Sequence, residues 1–294
     1  MPLLKSFLYN IKEAKFNPLR LAHNMFYIAT VSYLRVLKYI LKIKSKRIRN
    51  YMSETYHGKV MRLDDATKII TINENIELRN LDQVLPYKHA KDIILKNPHN
   101  IVAYECGCRG QKKDSCKPSD VCLIVGEPFV DLVRMFQPFR SRRITQQEAL
   151  KILNDEDDRG HVHTAWFKSA VLDRFYTICN CCGCCCLGIK FMNEHKMRTV
   201  LPSGYCAITG EDCAGCGECS KYCQFDAIEM FSYSENGKKR KKYNVIADKC
   251  FGCGICETKC KKENISLIPD PEKGIPLNIE ALVRSKDIEK TIKN

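Results

Sequence analysis

Cys213-Ala-Gly-Cys216-Gly-Glu-Cys219-Ser-Lys-Tyr-Cys223 and Cys250-Phe-Gly-Cys253-Gly-Ile-Cys256-Glu-Thr-Lys-Cys260 are one pattern, C-x2-C-x2-C-x3-C, written twice. In such a pattern a tight loop presents three thiolates to one iron–sulfur cubane, and the next helical turn carries the fourth away to the other. The spacing therefore predicts two [4Fe–4S] clusters. Cluster I is expected on Cys213, Cys216, Cys219 and Cys260, and cluster II on Cys250, Cys253, Cys256 and Cys223. Zinc is the competing ligand for C-x2-C pairs, but it needs only two pairs and leaves the third and fourth cysteines of each motif without a role. Cys206 lies outside the repeat and reads as an ordinary buried thiol.

With these motifs, residues 206 to 268 resemble the bacterial-type two-cluster ferredoxin family. Gly215 and Gly217 lie in the first loop and Gly252 and Gly254 in the second, where glycine lets the backbone close around a cluster. Ala227-Ile228 is similar to the apolar stretch that follows the first motif in that family. The chain departs from it in two ways. Gln224 and Lys261 stand where the family usually has proline, and the segment between the motifs is longer and more basic. The resemblance implies a ferredoxin-like two-cluster module and electron-transfer chemistry.

Ten further cysteines precede the module: Cys106, Cys108, Cys116, Cys122, Cys179, Cys181, Cys182, Cys184, Cys185 and Cys186. Free neighbouring thiols invite oxidation, so this density points to metal. Cys106-Gly-Cys108-Arg109 and Cys179-Asn-Cys181-Cys182 are similar to a pattern upstream of ferredoxin modules in a broad group of iron–sulfur proteins, which implies one or two extra clusters. Cys106, Cys108, Cys116 and Cys122 are the expected ligands of one further centre, with some of Cys179 to Cys186 serving that centre or another. Arg109 either offsets the charge of such a centre or is an exposed arginine. His161 and His163 form an H-x-H that reads as a solvated turn, and Trp166, the single tryptophan, as core.

Nineteen cysteines in 294 residues, an odd number with none before Cys106, argue against a secreted disulfide scaffold. A reducing cytoplasmic setting is expected. The net charge of +14 is concentrated at the start, where residues 1–62 carry thirteen Lys or Arg against two Glu, a local +11. Residues 17–49 read as a basic amphipathic helix, with Tyr33, Leu34, Leu37, Ile40 and Leu41 on one face. The apolar run from Arg20 to Arg35 is too short and too polar to span a bilayer. Such a helix either lies on an anionic membrane or packs on a partner subunit. Nucleic acid is the weaker reading of the basic segments, which lack an RNA-binding signature.

The expected fold class is α+β: a ferredoxin-like two-cluster module attached to a mixed, largely helical cysteine-rich domain with a basic N-terminal helix. The expected boundaries are 1–62 for the basic segment, 63–200 for the cysteine-rich domain, 201–270 for the ferredoxin domain and 271–294 for a tail. Within these, Lys68 to Ile72 and Ile101 to Tyr104 read as strands, and Tyr87 to Lys96 and Thr164 to Tyr176 as helices. Thr145-Gln-Gln-Glu148 reads as a capping box opening a helix to about Asn154. Tyr233 to Tyr243 reads as a hairpin turning at Asn236-Gly237. The expected function is electron transfer through the two ferredoxin clusters and the further centre to a redox partner protein. The competing reading is a reductase acting at a cluster of the upstream domain; no flavin or nicotinamide motif is present.

Overall fold

The computed structural model describes residues 2–29, 45–235 and 238–284. Its frame is an eight-stranded sheet rather than a helical bundle, which corrects the expectation that the cysteine-rich domain is largely helical. The strands are β1 (Tyr56–Val60), β2 (Ile76–Leu78), β3 (Ile93–Tyr104), β4 (Cys122–Glu127), β5 (Ser141–Ile144), β6 (Val162–Lys168), β7 (Arg174–Cys181) and β8 (Val200–Leu201). They run in the order β2-β3-β4-β7-β6-β1-β8, with β5 also pairing β3. Every pairing is antiparallel except that of β1 with β8.

Thr164 to Tyr176, expected as a helix, forms most of β6 and the start of β7. All seven residues of β6 are buried. A strand covered on both faces loses the alternation that marks strands, so its apolar run mimics a buried helix. Lys68 to Ile72 errs the other way. Most of it lies in a helix, Leu63–Thr71, that buries Ala66, Ile69 and Ile70 on one face and carries Asp64 and Asp65 in its first turn. Most of Tyr87 to Lys96 is a turn and the opening of β3 rather than a helix. The helix Gln146–Asp158 begins at the expected cap, where the Thr145 hydroxyl accepts from the Glu148 amide at 3.1 Å.

Strand alternation divides the core. Ile101 and Ala103 of β3, Leu123 and Val125 of β4, and Ala165 and Phe167 of β6 face one side, packed with Ile69, Ile70, Ala149 and Leu153 of the two helices above them. Val102, Tyr104, Cys122 and Ile124 face the other side, against Phe129, Val130, Leu132 and Val133 of the helix Phe129–Phe136. The helix Pro18–Ala29 closes this second face with Ile28. Its Asn24 accepts from Asn10 of the preceding helix at 2.7 Å and donates to the Ala170 carbonyl at 2.8 Å. The helix Lys46–Thr55 leads into β1. Tyr33, Leu34, Leu37, Ile40 and Leu41, the expected amphipathic face, lie outside the described residues. No helix among the described residues is long and apolar enough to cross a membrane.

The C-terminal module has two antiparallel pairs. Strand β9 (Tyr205–Thr209) pairs with β12 (Ile265–Pro269), and β10 (Ile228–Glu235) pairs with β11 (Lys238–Val245) in register from Ile228↔Val245 to Glu235↔Lys238. The turn expected at Asn236-Gly237 falls outside the described residues. The short helices Glu218–Tyr222 and Ile255–Thr258 follow the two cysteine loops. The module shares an apolar cluster with the sheet, in which Val162, Trp166, Cys181 and Cys186 pack with Cys219, Phe225, Ala227 and Cys250.

Candidate metal centres

In the C-terminal module, Cys213, Cys216, Cys219 and Cys260 line one cavity together with Tyr243 and Ile265. Cys223, Cys250, Cys253 and Cys256 line a second, together with Phe225, Phe251, Ile228 and Val245. Backbone amides point at the sulfurs. Ala227 N lies 3.3 Å from Cys223 Sγ, Asn264 N 3.3 Å from Cys260 Sγ, and Ala207 N and Gly252 N each 3.4 Å from Cys250 Sγ. Such N–H···S contacts favour the thiolate and tune the centre it binds. Burial opposes the charge, pushing the Cys253 thiol up to about 12 and the Cys219 thiol up to about 11. Thiols this reluctant to ionise become ligands when a metal supplies the compensating positive charge.

The loops fit a cubane by their backbone as well as their donor set. Gly215 and Gly252 occupy equivalent places in the repeat, with φ of +66° and +64°. A Cβ at Gly215 would lie 2.4 Å from the Lys241 carbonyl oxygen, and one at Gly252 2.1 Å from that of Tyr205. Both positions demand glycine, and each keeps its loop curled around the thiols.

The ten upstream cysteines do not group as their order in the chain suggests. Six form a closed ring. Cys106 faces Cys108 and Cys122, Cys122 faces Cys179, Cys179 faces Cys181, Cys181 faces Cys186, and Cys186 faces Cys108. The Cys181 and Cys186 sulfurs are 3.3 Å apart. Cys116 is not in this ring. It stands with Cys182, Cys184 and Cys185, so the expected set of Cys106, Cys108, Cys116 and Cys122 is divided between two places. The physical reason is strand geometry. Cys179 and Cys181 alternate onto one face of β7, Cys122 opens the neighbouring β4, and Cys186 stands at the start of the helix Leu187–His195. The Cys-x-Cys spacing was the signal in the sequence, but it identifies a shared face only once β7 is known to be a strand.

The ring, together with Cys182 and Cys185, lines a cavity of about 70 Å³, against about 20 and 30 Å³ for the two cavities of the C-terminal module. Lys168 lines it as well, with Tyr27, Tyr56 and Tyr176 around its ammonium. Lys168 Nζ donates to the Tyr27 hydroxyl, which is 3.3 Å from that of Tyr176, and it lies 4.5 Å from the ring centre of Tyr56. Tyr176 reaches this face through a bulge, since Trp166 pairs with Thr177 while Phe167 pairs with Phe175. Lys168 is buried, and no carboxylate lies within ion-pair distance of it among the described residues. An uncompensated buried cation is costly, so its natural counter-charge is the thiol ring. Hydrogen bonds from Cys122 and Cys181, with the Lys168 charge behind them, hold the Cys179 thiol well below its usual range. Neighbouring thiols and burial push Cys122 and Cys181 the other way.

Arg109 also lines the cavity, near Cys106 and Cys122, and is buried rather than exposed. Its guanidinium pairs with Glu156 and donates to the Pro118 and Asn180 carbonyls, the latter at 3.1 Å. His161 and His163 are buried too, which corrects the reading of a solvated turn. His161 Nδ1 is 2.7 Å from Glu156 Oε2, and His163 Nδ1 is 2.7 Å from Asn180 Oδ1. The segment is polar because it braces Arg109 and Asn180. Trp166 is core, stacked on Tyr56 at 4.7 Å between ring centres.

Residues 212–264 match the 4Fe–4S dicluster domain family. The match includes all eight cysteines of the repeat, so this part of the chain is an iron–sulfur module. Neither a curated protein nor a solved structure matches the chain.

Proposed function

We propose that this chain is an iron–sulfur electron-transfer protein working with a partner oxidoreductase. In this reading the eight cysteines of the repeat hold two [4Fe–4S] clusters, in the sets that line the two cavities, and the six-thiol ring holds a further iron–sulfur centre. Bound there, these groups supply one-electron exchange. The observation that carries the reading is continuity. Gln224 follows Cys223 directly, and its side chain accepts from the amide of Gly183, which lies between Cys182 and Cys184. One residue thus joins a ligand of the repeat to the upstream thiols, and one apolar cluster around Trp166 and Phe225 packs Cys181 and Cys186 with Cys219, Cys223 and Cys250.

The chain's own residues have separable tasks. Backbone amides at Cys223, Cys250 and Cys260 stabilise charge on sulfur. Arg109 and Lys168 both place positive charge at the ring's cavity, and Glu156 keeps Arg109 in place. The exposed side chains of Leu4, Leu8, Phe16 and Leu19, interleaved with Lys5, Lys12, Lys15 and Arg20, support contact with an anionic membrane or partner through the first two helices.

Iron and acid-labile sulfide per chain, measured on protein purified without oxygen, test the proposal. Values near eight of each mean that only the repeat is loaded and refute the further centre; about twelve or more support it. A second reading, a reductase that acts on a small substrate at the ring, draws on the larger cavity and on Lys168, Tyr27 and Tyr176 as proton carriers beside it. Turnover with an artificial electron donor and no partner protein favours that reading.

A further inference from the structure

The four thiols outside the ring have a geometry of their own. Cys116 comes from the loop between β3 and β4, and Cys182, Cys184 and Cys185 from the turn that follows β7. Cys184 Sγ lies 3.3 Å from Cys116 Sγ and 3.4 Å from those of Cys182 and Cys185. All four sulfurs are within 4.8 Å of one another. Among the described residues no other cysteine, histidine or carboxylate group of three or more is gathered so tightly, the two ferredoxin sets included.

That closeness discriminates between metal centres. A single tetrahedral ion with metal–sulfur bonds of about 2.3 Å sets its ligand sulfurs about 3.8 Å apart. In a cubane each cysteine sulfur lies one bond outside a core of four irons, so the ligand sulfurs stand wider. We propose that Cys116, Cys182, Cys184 and Cys185 bind one zinc ion as a closed tetrathiolate, with no inorganic sulfide. Four protein ligands and no open position make a site of the structural kind. Its task is mechanical. The loop that supplies Cys116 also supplies Cys106 and Cys108 to the ring, and the turn that supplies the other three lies between Cys181 and Cys186. An ion shared by the two segments fixes the two halves of the ring against each other. Lys112 Nζ lies 3.4 Å from the Cys184 carbonyl and places a positive charge beside a site whose thiolates outnumber the charge of the ion. Cys182 and Cys185 also line the ring's cavity, so the ion stands at its edge, while Cys116 and Cys184 do not line it.

The test is zinc, iron and labile sulfide per chain in the full-length protein and in a Cys116→Ser/Cys184→Ser double variant, both purified without oxygen from zinc-replete medium. The expected result is about one zinc in the unaltered chain, lost in the variant, with labile sulfide unchanged. Absence of zinc from the unaltered chain, zinc retained in the variant, or sulfide lost along with it overturns the proposal. Should the variant fail to fold, zinc-edge X-ray absorption on the unaltered chain still decides. Sulfur neighbours alone at about 2.3 Å support the site, and a metal neighbour or nitrogen and oxygen ligation overturns it.

Discussion

Gln224 Oε1 accepts a hydrogen bond of 2.8 Å from the backbone amide of Gly183, and Gln224 Nε2 donates one of 2.8 Å to the Gly160 carbonyl. A residue that departs from the usual ferredoxin pattern is thereby the clasp between the module and the upstream domain. Proline at this position has no side-chain donor or acceptor with which to make either bond. Gln224→Leu is therefore expected to leave iron and sulfide in the repeat unchanged while weakening the docking of the two parts. Two half-buried backbone groups lose their partners, so a loss of about 1–3 kcal/mol is expected in chemical denaturation. A variant as stable as the parent would show that the clasp contributes nothing.

The two cysteine loops offer a graded test of the cradle. Gly252 has φ of +64° and its Cβ would meet the Tyr205 carbonyl at 2.1 Å, whereas a Cβ at Gly254, with φ of +88°, would meet the Leu267 Cδ1 methyl at 3.2 Å. Backbone cannot yield as a side chain can. Gly252→Ala is expected to cost the chain about four irons, the content of one cubane, and Gly254→Ala to retain most of its iron at reduced stability. Equal iron content in the two variants would count against the cradle.

The C-x2-C-x2-C-x3-C repeat was legible because its spacing is a local property, set within a loop and one helical turn. The upstream site was not, because its grouping depends on which strands are neighbours. Cys122 meets Cys179 across the β4–β7 pairing, through registers such as Leu123↔Ile178 that no local pattern encodes. The same cause hid β6, whose Thr164-Ala-Trp-Phe is buried on both sides and so shows no alternation. The run Asp-Glu-Asp-Asp-Arg-Gly ahead of His161 and His163 has the composition of a solvated surface segment. In that run Glu156 and Asp157 turn inward, Glu156 to meet Arg109, some fifty residues earlier. Long-range polar pairing of this kind leaves no trace in a window of sequence.

Lys168 provides a test of charge at the ring. Replacing it by methionine removes the buried cation while keeping most of the stem that packs against Tyr27, Tyr56 and Tyr176. A reduced centre carries one more negative charge than an oxidised one, so losing a nearby cation disfavours reduction. With the proposed centre in the ring, Lys168→Met is expected to lower its potential by tens of millivolts, about 59 mV being tenfold in equilibrium constant for one electron. Potentiometric titration with spectroscopic detection should find the two centres proposed for the repeat unmoved. An upward shift, or a shift shared by all three, would remove Lys168 from its assigned place.

His57 sets a pH limit on the fold. Burial lowers its pKa to about 4, and its imidazole stacks on Tyr87 at 3.7 Å between ring centres with Nε2 2.7 Å from the Ala90 carbonyl. In the unfolded chain the same group titrates near 6.5. Between these values the unfolded state binds a proton that the folded state refuses, so stability rises with pH across the window and is lost as pH falls from about 6.5 toward 4. The slope from this group is steepest near the middle of the window, at about 1.2 kcal/mol per pH unit, and falls by about half at either end. Denaturant unfolding of the parent and of His57→Gln, compared at pH 7 and pH 5, isolates the contribution. The variant is expected to be less stable at pH 7, where it loses the stacking, and to lose less stability on going to pH 5. Equal losses in the two proteins would place the acid sensitivity elsewhere.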